Sequence, residues 1–277
     1  MLSDKLRQFF VLFFAIGQFV TTALLSTAFN EVSDRTSAGS PVYFLPAGYT
    51  FAIWGLIMVL SLVYAMYQIF PKQADQEVHR RIGWFVMINT IFFSIWLALA
   101  VQSGSYTSPD FQPVWILATV GIIIGMLAMN IFAFLNLRDL SSTLTRADRW
   151  LAAVPVSVYF GWLSVATIAN TTSYLYGAGW TGAEYGALIT VALLIVAVVI
   201  TGFVILLYNI TEGTVAYGAV VMWAALGIAA GNVNQSWLVT VTAGVVAMLI
   251  LLLTILSVNR QHFPPASSQT PQTMLRT

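Results

Sequence analysis

YFLPAGYTFAIWGLIM, residues 43–58, leaves a polar loop through Pro46 and Gly48 and enters an apolar run carrying Tyr49, Phe51 and Trp54. Proline does not serve a helix interior, because it lacks the N–H and its ring clashes with the preceding turn, but it fixes the turn that leads into one. Aromatic side chains at such a point sit where a membrane helix meets the lipid headgroups. Phe51 and Trp54, three residues apart, share a helix face. Taken singly, each residue is explained by an aromatic belt at a helix start.

The composition agrees with a membrane setting. Of the 277 residues, 59% are hydrophobic and only 8% are charged, against roughly 25% charged in a soluble domain. Mean hydropathy is +0.85. A spanning helix needs about 20 mostly apolar residues, and eight stretches meet that need: 8–29, 48–70, 81–101, 114–136, 150–170, 183–208, 213–230 and 237–258. The first resembles a signal peptide ending at Ser26-Thr27-Ala28, but its apolar run exceeds the roughly 7–15 residues of a signal core, so it reads as a retained helix. The expected fold is an all-α polytopic helix bundle.

Charge placement supports the count of eight. Lys5, Arg7, Lys72, Arg80, Arg81, Arg138, Arg146, Arg149, Arg260 and Arg276 fall on one side of an eight-span threading, and of the 11 basic residues only Arg35 falls on the other. The positive-inside rule assigns the crowded side to the cytoplasm. Both termini are therefore expected there, in a bacterial inner membrane, and the Gly48 end of the second helix faces outward.

The inventory of chemical groups is narrow. No cysteine is present, so disulfides and thiolate metal sites are excluded. The formal net charge of +1 gives nucleic acid nothing to bind. No lysine lies inside a span, which excludes a retinal Schiff base, and the only histidines, His79 and His262, fall outside the apolar stretches. A mid-membrane haem ligand is therefore missing. Proton relays need buried ionisable groups, and none is expected deep in a span. The reading is not an enzyme, and the residues alone assign no cofactor.

What remains is amide and aromatic chemistry. Gln18, Asn89, Asn130, Asn136 and Asn170 are polar positions in or near the apolar layer, and hydrogen bonding between helices accounts for any one of them. In the third helix, Asn89, Phe92 and Trp96 fall at i, i+3 and i+7. In the fifth, Trp162, Ala166 and Asn170 also share a face. Trp115 reads as an interfacial belt residue, whereas Trp54, Trp96 and Trp162 lie one to two turns inside the interface. Aromatics with a few amides suit a flat, apolar ligand with polar edges. Gly121-x-x-x-Gly125 and Gly227-x-x-x-Gly231 allow close helix approach, with packing as the default.

The order of these segments resembles the translocator-protein family, also called tryptophan-rich sensory protein (TspO). Pro46-Ala47-Gly48-Tyr49-Thr50-Phe51, followed by Trp54, stands where that family carries Pro-Pro-Gly-Trp-x-Phe before a Trp-bearing second helix. Asn89-x-x-Phe92 stands for Asn-x-x-Trp, and Trp162-x-x-x-Ala166-x-x-x-Asn170 resembles the end of the family's fifth helix. Ala47, Tyr49 and Phe92 are departures. The resemblance implies a TspO-like five-helix membrane domain over residues 1–172, leaving 173–258 as a three-helix extension and 259–277 as a disordered cytoplasmic tail.

It further implies a protein that binds, senses or translocates a hydrophobic small molecule, a porphyrin-type tetrapyrrole before a sterol-like lipid. A bound tetrapyrrole is the one cofactor it implies, and tetrapyrrole breakdown is a proposal attached to that family. Pro46, Tyr49, Phe51, Trp54, Asn89, Phe92, Trp96, Trp162, Ala166 and Asn170 are the expected ligand-binding residues, between helices two, three and five and beneath the loop 30–47. Trp54 and Trp162 are expected to line a cleft, and Trp223 in the extension to have no part in it. Partners are then the small molecule and membrane lipid, with a homodimer or a larger membrane complex open. The competing readings are a secondary transporter of a neutral solute and a non-catalytic subunit of a membrane complex.

Overall fold

A computed structural model describes residues 2–37, 42–104, 111–180 and 182–262. Eight helices are long and apolar enough to cross a membrane, and the protein is an integral membrane protein. They are α1 (Leu2–Ser37), α2 (Ile53–Gln68), α3 (Glu77–Ser103), α4 (Pro113–Asp139), α5 (Val154–Gly177), α6 (Gly186–Leu207), α7 (Thr211–Asn232) and α8 (Trp237–His262). Several run past their expected ends. Because α1 continues to Ser37, the outer loop begins later than Asn30. α5 continues past 172 to Gly177, and α8 passes Val258. Residues 263–277, most of the expected tail, lie outside the described residues.

The charged start of α1 is helical because its charges are answered. Arg7 is 2% exposed and donates to Asp4 at 3.0 Å and to the Ala74 carbonyl at 2.7 Å. Asp4 also accepts two bonds from Arg80, at 2.8 and 2.9 Å. Next to this knot the side-chain amides of Gln8 and Gln68 each donate to the other's backbone carbonyl, which ties α1 to the end of α2. Such exchange satisfies polar groups that the apolar layer cannot.

The path into α2 follows the Pro46–Phe51 sequence. After Pro46 the chain makes a 3-10 turn over Gly48–Ala52, and Thr50 N–H donates to the Ala47 carbonyl at 2.9 Å. α5 has its own lead-in. Thr145 and Asp148 form a reciprocal capping box, which satisfies two N–H groups at the helix start. A π-turn over Arg149–Ala153 follows, with Val154 N–H donating to the Arg149 carbonyl, and Pro155 then sits in the first turn of α5, where its missing N–H costs least.

α5 is the centre of the bundle. Its most apolar stretch is 72% buried, against 17% for α1. It packs on α4 along one side and on α7 along the other, while α3 lies between α1 and α4, α8 covers α7, and α6 leans on α8. The α5–α7 crossing is close because Gly161 has no side chain: a Cβ there would lie 2.9 Å from the Tyr217 carbonyl oxygen. Ser157 donates to the Tyr208 hydroxyl at 3.1 Å and Tyr217 to the Ser164 hydroxyl at 3.2 Å. The last three helices therefore share the core of the first five.

Candidate functional site

The outer half of the bundle contains a cavity walled by α2, α3, α4 and α5, by the end of α1 and by the Leu45–Pro46 turn, enclosing about 890 Å³ including its open mouth. Its aromatic wall is one connected group centred on Trp54. The Trp54 ring lies 5.3 Å from Trp96, tilted by 33°, and meets Trp162 edge-on at 5.9 Å. Phe51 is edge-on to Trp162 at 5.8 Å, and Phe29 to Trp96 at 5.7 Å. Edge-to-face pairs at such spacings are favourable beyond their burial. Rings on facing helices thus support one another as they shape the wall.

Polar groups divide into tied and untied. Trp96 Nε1 donates to Asn170 Oδ1 at 3.0 Å, and Asn170 Nδ2 donates to Thr119 Oγ1 at 2.9 Å. This chain joins α3, α5 and α4 and sets the orientation of both the indole and the amide. The Nε1 atoms of Trp54 and Trp162 are buried without a partner in the protein. A buried indole N–H left unpaired costs free energy comparable to a lost hydrogen bond. None of the described residues lining the cavity is charged. A molecule held here meets flat apolar walls with few polar groups, the Asn170 amide and the hydroxyls of Ser103, Thr119 and Ser173.

Of the residues expected from sequence, Pro46, Phe51, Trp54, Trp96, Trp162, Ala166 and Asn170 come together in this cavity. Tyr49, Asn89 and Phe92 are elsewhere. Tyr49 is 56% exposed and stands edge-on to Trp223 at 5.6 Å. Asn89 lines a separate small cavity with Ser61, Tyr64, Asn130 and Tyr159. Seven residues of helix put Asn89 roughly 10 Å along the axis from Trp96, so sharing a face did not mean sharing a depth. Phe92 turns toward α4 and covers Gly125, where a Cβ would meet its ring at 2.8 Å.

Other lining residues carried no sequence signal. Phe29, Ala100, Ile116, Thr119 and Ile123 are among them, and nothing in the spacing of α1, α3 or α4 separates them from residues facing lipid or core. A second cavity lies on the other side of the aromatic wall, between α1, α2 and α3, with Phe29, Phe51, Trp54 and Trp96 shared between the two. Those rings are a partition with space on both sides. Trp223, expected to stand apart, donates from Nε1 to the Thr50 carbonyl at 3.1 Å.

Comparison with curated proteins and comparison with solved structures each return no match. The sequence does match the family described as TSPO-like protein over residues 8–256, from the first turns of α1 to near the end of α8. With eight spanning helices and a match over most of its length, the chain belongs to the TSPO-like protein family.

Proposed function

We propose that the protein binds a flat, apolar small molecule with polar atoms at its edge in the outer cavity, and that it senses or moves that molecule within the membrane. A porphyrin-type tetrapyrrole is the first candidate class and a sterol-like lipid the second. The observation that carries the reading is an uncharged aromatic cavity walled by Phe51, Trp54, Trp96 and Trp162, with Asn170, Ser103, Thr119 and Ser173 as its polar lining. Polar atoms at the ligand's edge would meet this amide and these hydroxyls, and the aromatic faces would stack on its plane. The role is binding rather than conventional catalysis, since the described lining residues offer one amide, hydroxyls and aromatic rings and no acid–base pair.

Protoporphyrin added to purified protein is expected to quench tryptophan fluorescence saturably, with Kd on the order of micromolar or below. Linear quenching equal to that of an unrelated Trp-rich membrane protein would mean partitioning into detergent and would sink the proposal.

We place the protein in a bacterial inner membrane with both termini in the cytoplasm. The support is the gathering of basic residues at one end of the bundle, where Asp4 pairs with Arg80 and Arg149 lies 3.9 Å from Glu212. Reporter fusions after Lys72, after Arg146 and at the C-terminus should report cytoplasm, and a fusion at Ser105 the opposite side. A C-terminal reporter active outside would reject this orientation.

A further inference from the structure

We propose that α7 is a clamp for the roof of the outer cavity, with Trp223, Gly227, Gly231 and Asn232 as positioning residues that hold the Tyr43–Thr50 segment in place. Local backbone bonds shape the segment, Leu45 N–H donating to the Val42 carbonyl at 3.0 Å and Thr50 N–H to the Ala47 carbonyl at 2.9 Å. Three more tie it to α7. Asn232 Nδ2 donates to the Tyr43 carbonyl at 2.8 Å, Ala47 N–H to the Gly227 carbonyl at 3.0 Å, and Trp223 Nε1 to the Thr50 carbonyl at 3.1 Å. The start, middle and end of the segment are each fastened to the same helix.

The two glycines let the segment lie directly on the helix, with the Thr50 side chain against Gly227 and backbone against Gly231. A Cβ on Gly227 would lie 2.7 Å from Thr50 Cγ2, and one on Gly231 would lie 3.1 Å from the Ala47 nitrogen and 3.2 Å from the Leu45 carbonyl oxygen. Trp223, Gly227 and Gly231, spaced by four, form a single stripe, and the segment lies along it. The Gly-x-x-x-Gly pattern of α7 is therefore occupied from within the chain. The other side of the same segment builds the ligand site: Leu45 and Pro46 line the outer cavity together with Phe51, the next residue along, and Phe51 meets Trp162. A displacement on α7 has to reappear at the cavity wall.

The role in ligand binding rests on the reading given under Proposed function; the clamp itself does not, so the test has two arms. Hydrogen exchange of residues 43–52 is measured in ligand-free protein in detergent, and protoporphyrin affinity by tryptophan quenching, for Gly227→Ala, Gly231→Ala, Trp223→Phe and a control. Gly244→Ala on α8 is the control, since nothing lies within 4 Å of its would-be Cβ. Gly227→Ala is expected to speed exchange of the segment and to raise Kd, each by about tenfold, the equivalent of one lost hydrogen bond. The melting midpoint should stay near that of wild type.

Adding Thr50→Ala removes the atoms nearest the new methyl and should restore both readouts, which a general loss of stability elsewhere would not allow. Trp223→Phe, which keeps a ring beside Tyr49 and loses one donor, should act in the same direction and more mildly. Unchanged exchange in both Gly227→Ala and Trp223→Phe overturns the clamp. Faster exchange with unchanged affinity overturns its link to the site. Wild-type protein without saturable protoporphyrin binding overturns the ligand reading, and the exchange arm still decides the clamp.

Discussion

Trp162→Ala should lower the melting midpoint in detergent sharply and abolish saturable ligand binding. Trp162 is 1% exposed, one of the largest fully buried side chains, and its ring is met edge-on by both Phe51 and Trp54. Truncation removes the common partner of those two rings and leaves a void that the helices close only in part. In soluble cores such a change costs about 3–5 kcal/mol. In a membrane the loss is mainly of dispersion contacts, because lipid is as apolar as the core, but the void still forfeits them.

Trp162 does line a cavity, as the sequence suggests, but its burial ties the same ring to the packing of the fold. Trp162 belongs to the wall and to the core at once. Trp162→Phe separates the two roles, keeping a ring against Phe51 and Trp54 while shortening the cavity wall. It should melt closer to wild type than Trp162→Ala does and bind protoporphyrin severalfold more weakly, the equivalent of about 1 kcal/mol of lost contact. Detergent melting with binding curves for both variants checks this. A Trp162→Ala protein as stable as wild type would show that the ring carries little of the packing.

Gly161→Leu should be the most damaging single change in the first half of α5. The crossing with α7 leaves no room, since a Cβ would already lie 2.9 Å from the Tyr217 carbonyl oxygen and 3.2 Å from Val220 Cβ. Backbone cannot step aside as a flexible side chain can, so the helices must separate and the Tyr217–Ser164 hydrogen bond would open with them. Overpacking of a filled interface costs typically 1–3 kcal/mol or more.

Gly121→Leu is the contrast, because nothing lies within 4 Å of a Cβ there. It should leave melting unchanged. Size-exclusion profiles and melting midpoints of the two variants decide whether the last three helices are anchored through α5. Equal tolerance of both would mean that the α5–α7 contact is dispensable.

Sequence by itself determined the spanning helices and their number, because roughly 20 apolar residues have one stable arrangement in a bilayer and the backbone must satisfy itself along the helix. It also determined that helix two is entered through the Pro46–Gly48 turn, and it picked out the indoles that meet in the cavity. Trp54, Trp96 and Trp162 were legible because tryptophans placed inside the interface carry a signal that outlasts the surrounding apolar monotony.

Depth and partner were decided only by the tertiary structure. Helical spacing places residues on a face, and Asn89 shares one with Trp96, yet the rise of the helix carries it into a different cavity. Phe29 and Thr119 line the site only because α1 and α4 lean where they do, and any apolar or hydroxyl residue reads alike in a lipid-facing helix. The Gly227–Gly231 pattern stated that something comes close. That the close neighbour is the segment before α2, nearly two hundred residues earlier in the chain, follows from how α7 packs on α5, and long-range packing of this kind leaves no local periodicity to read.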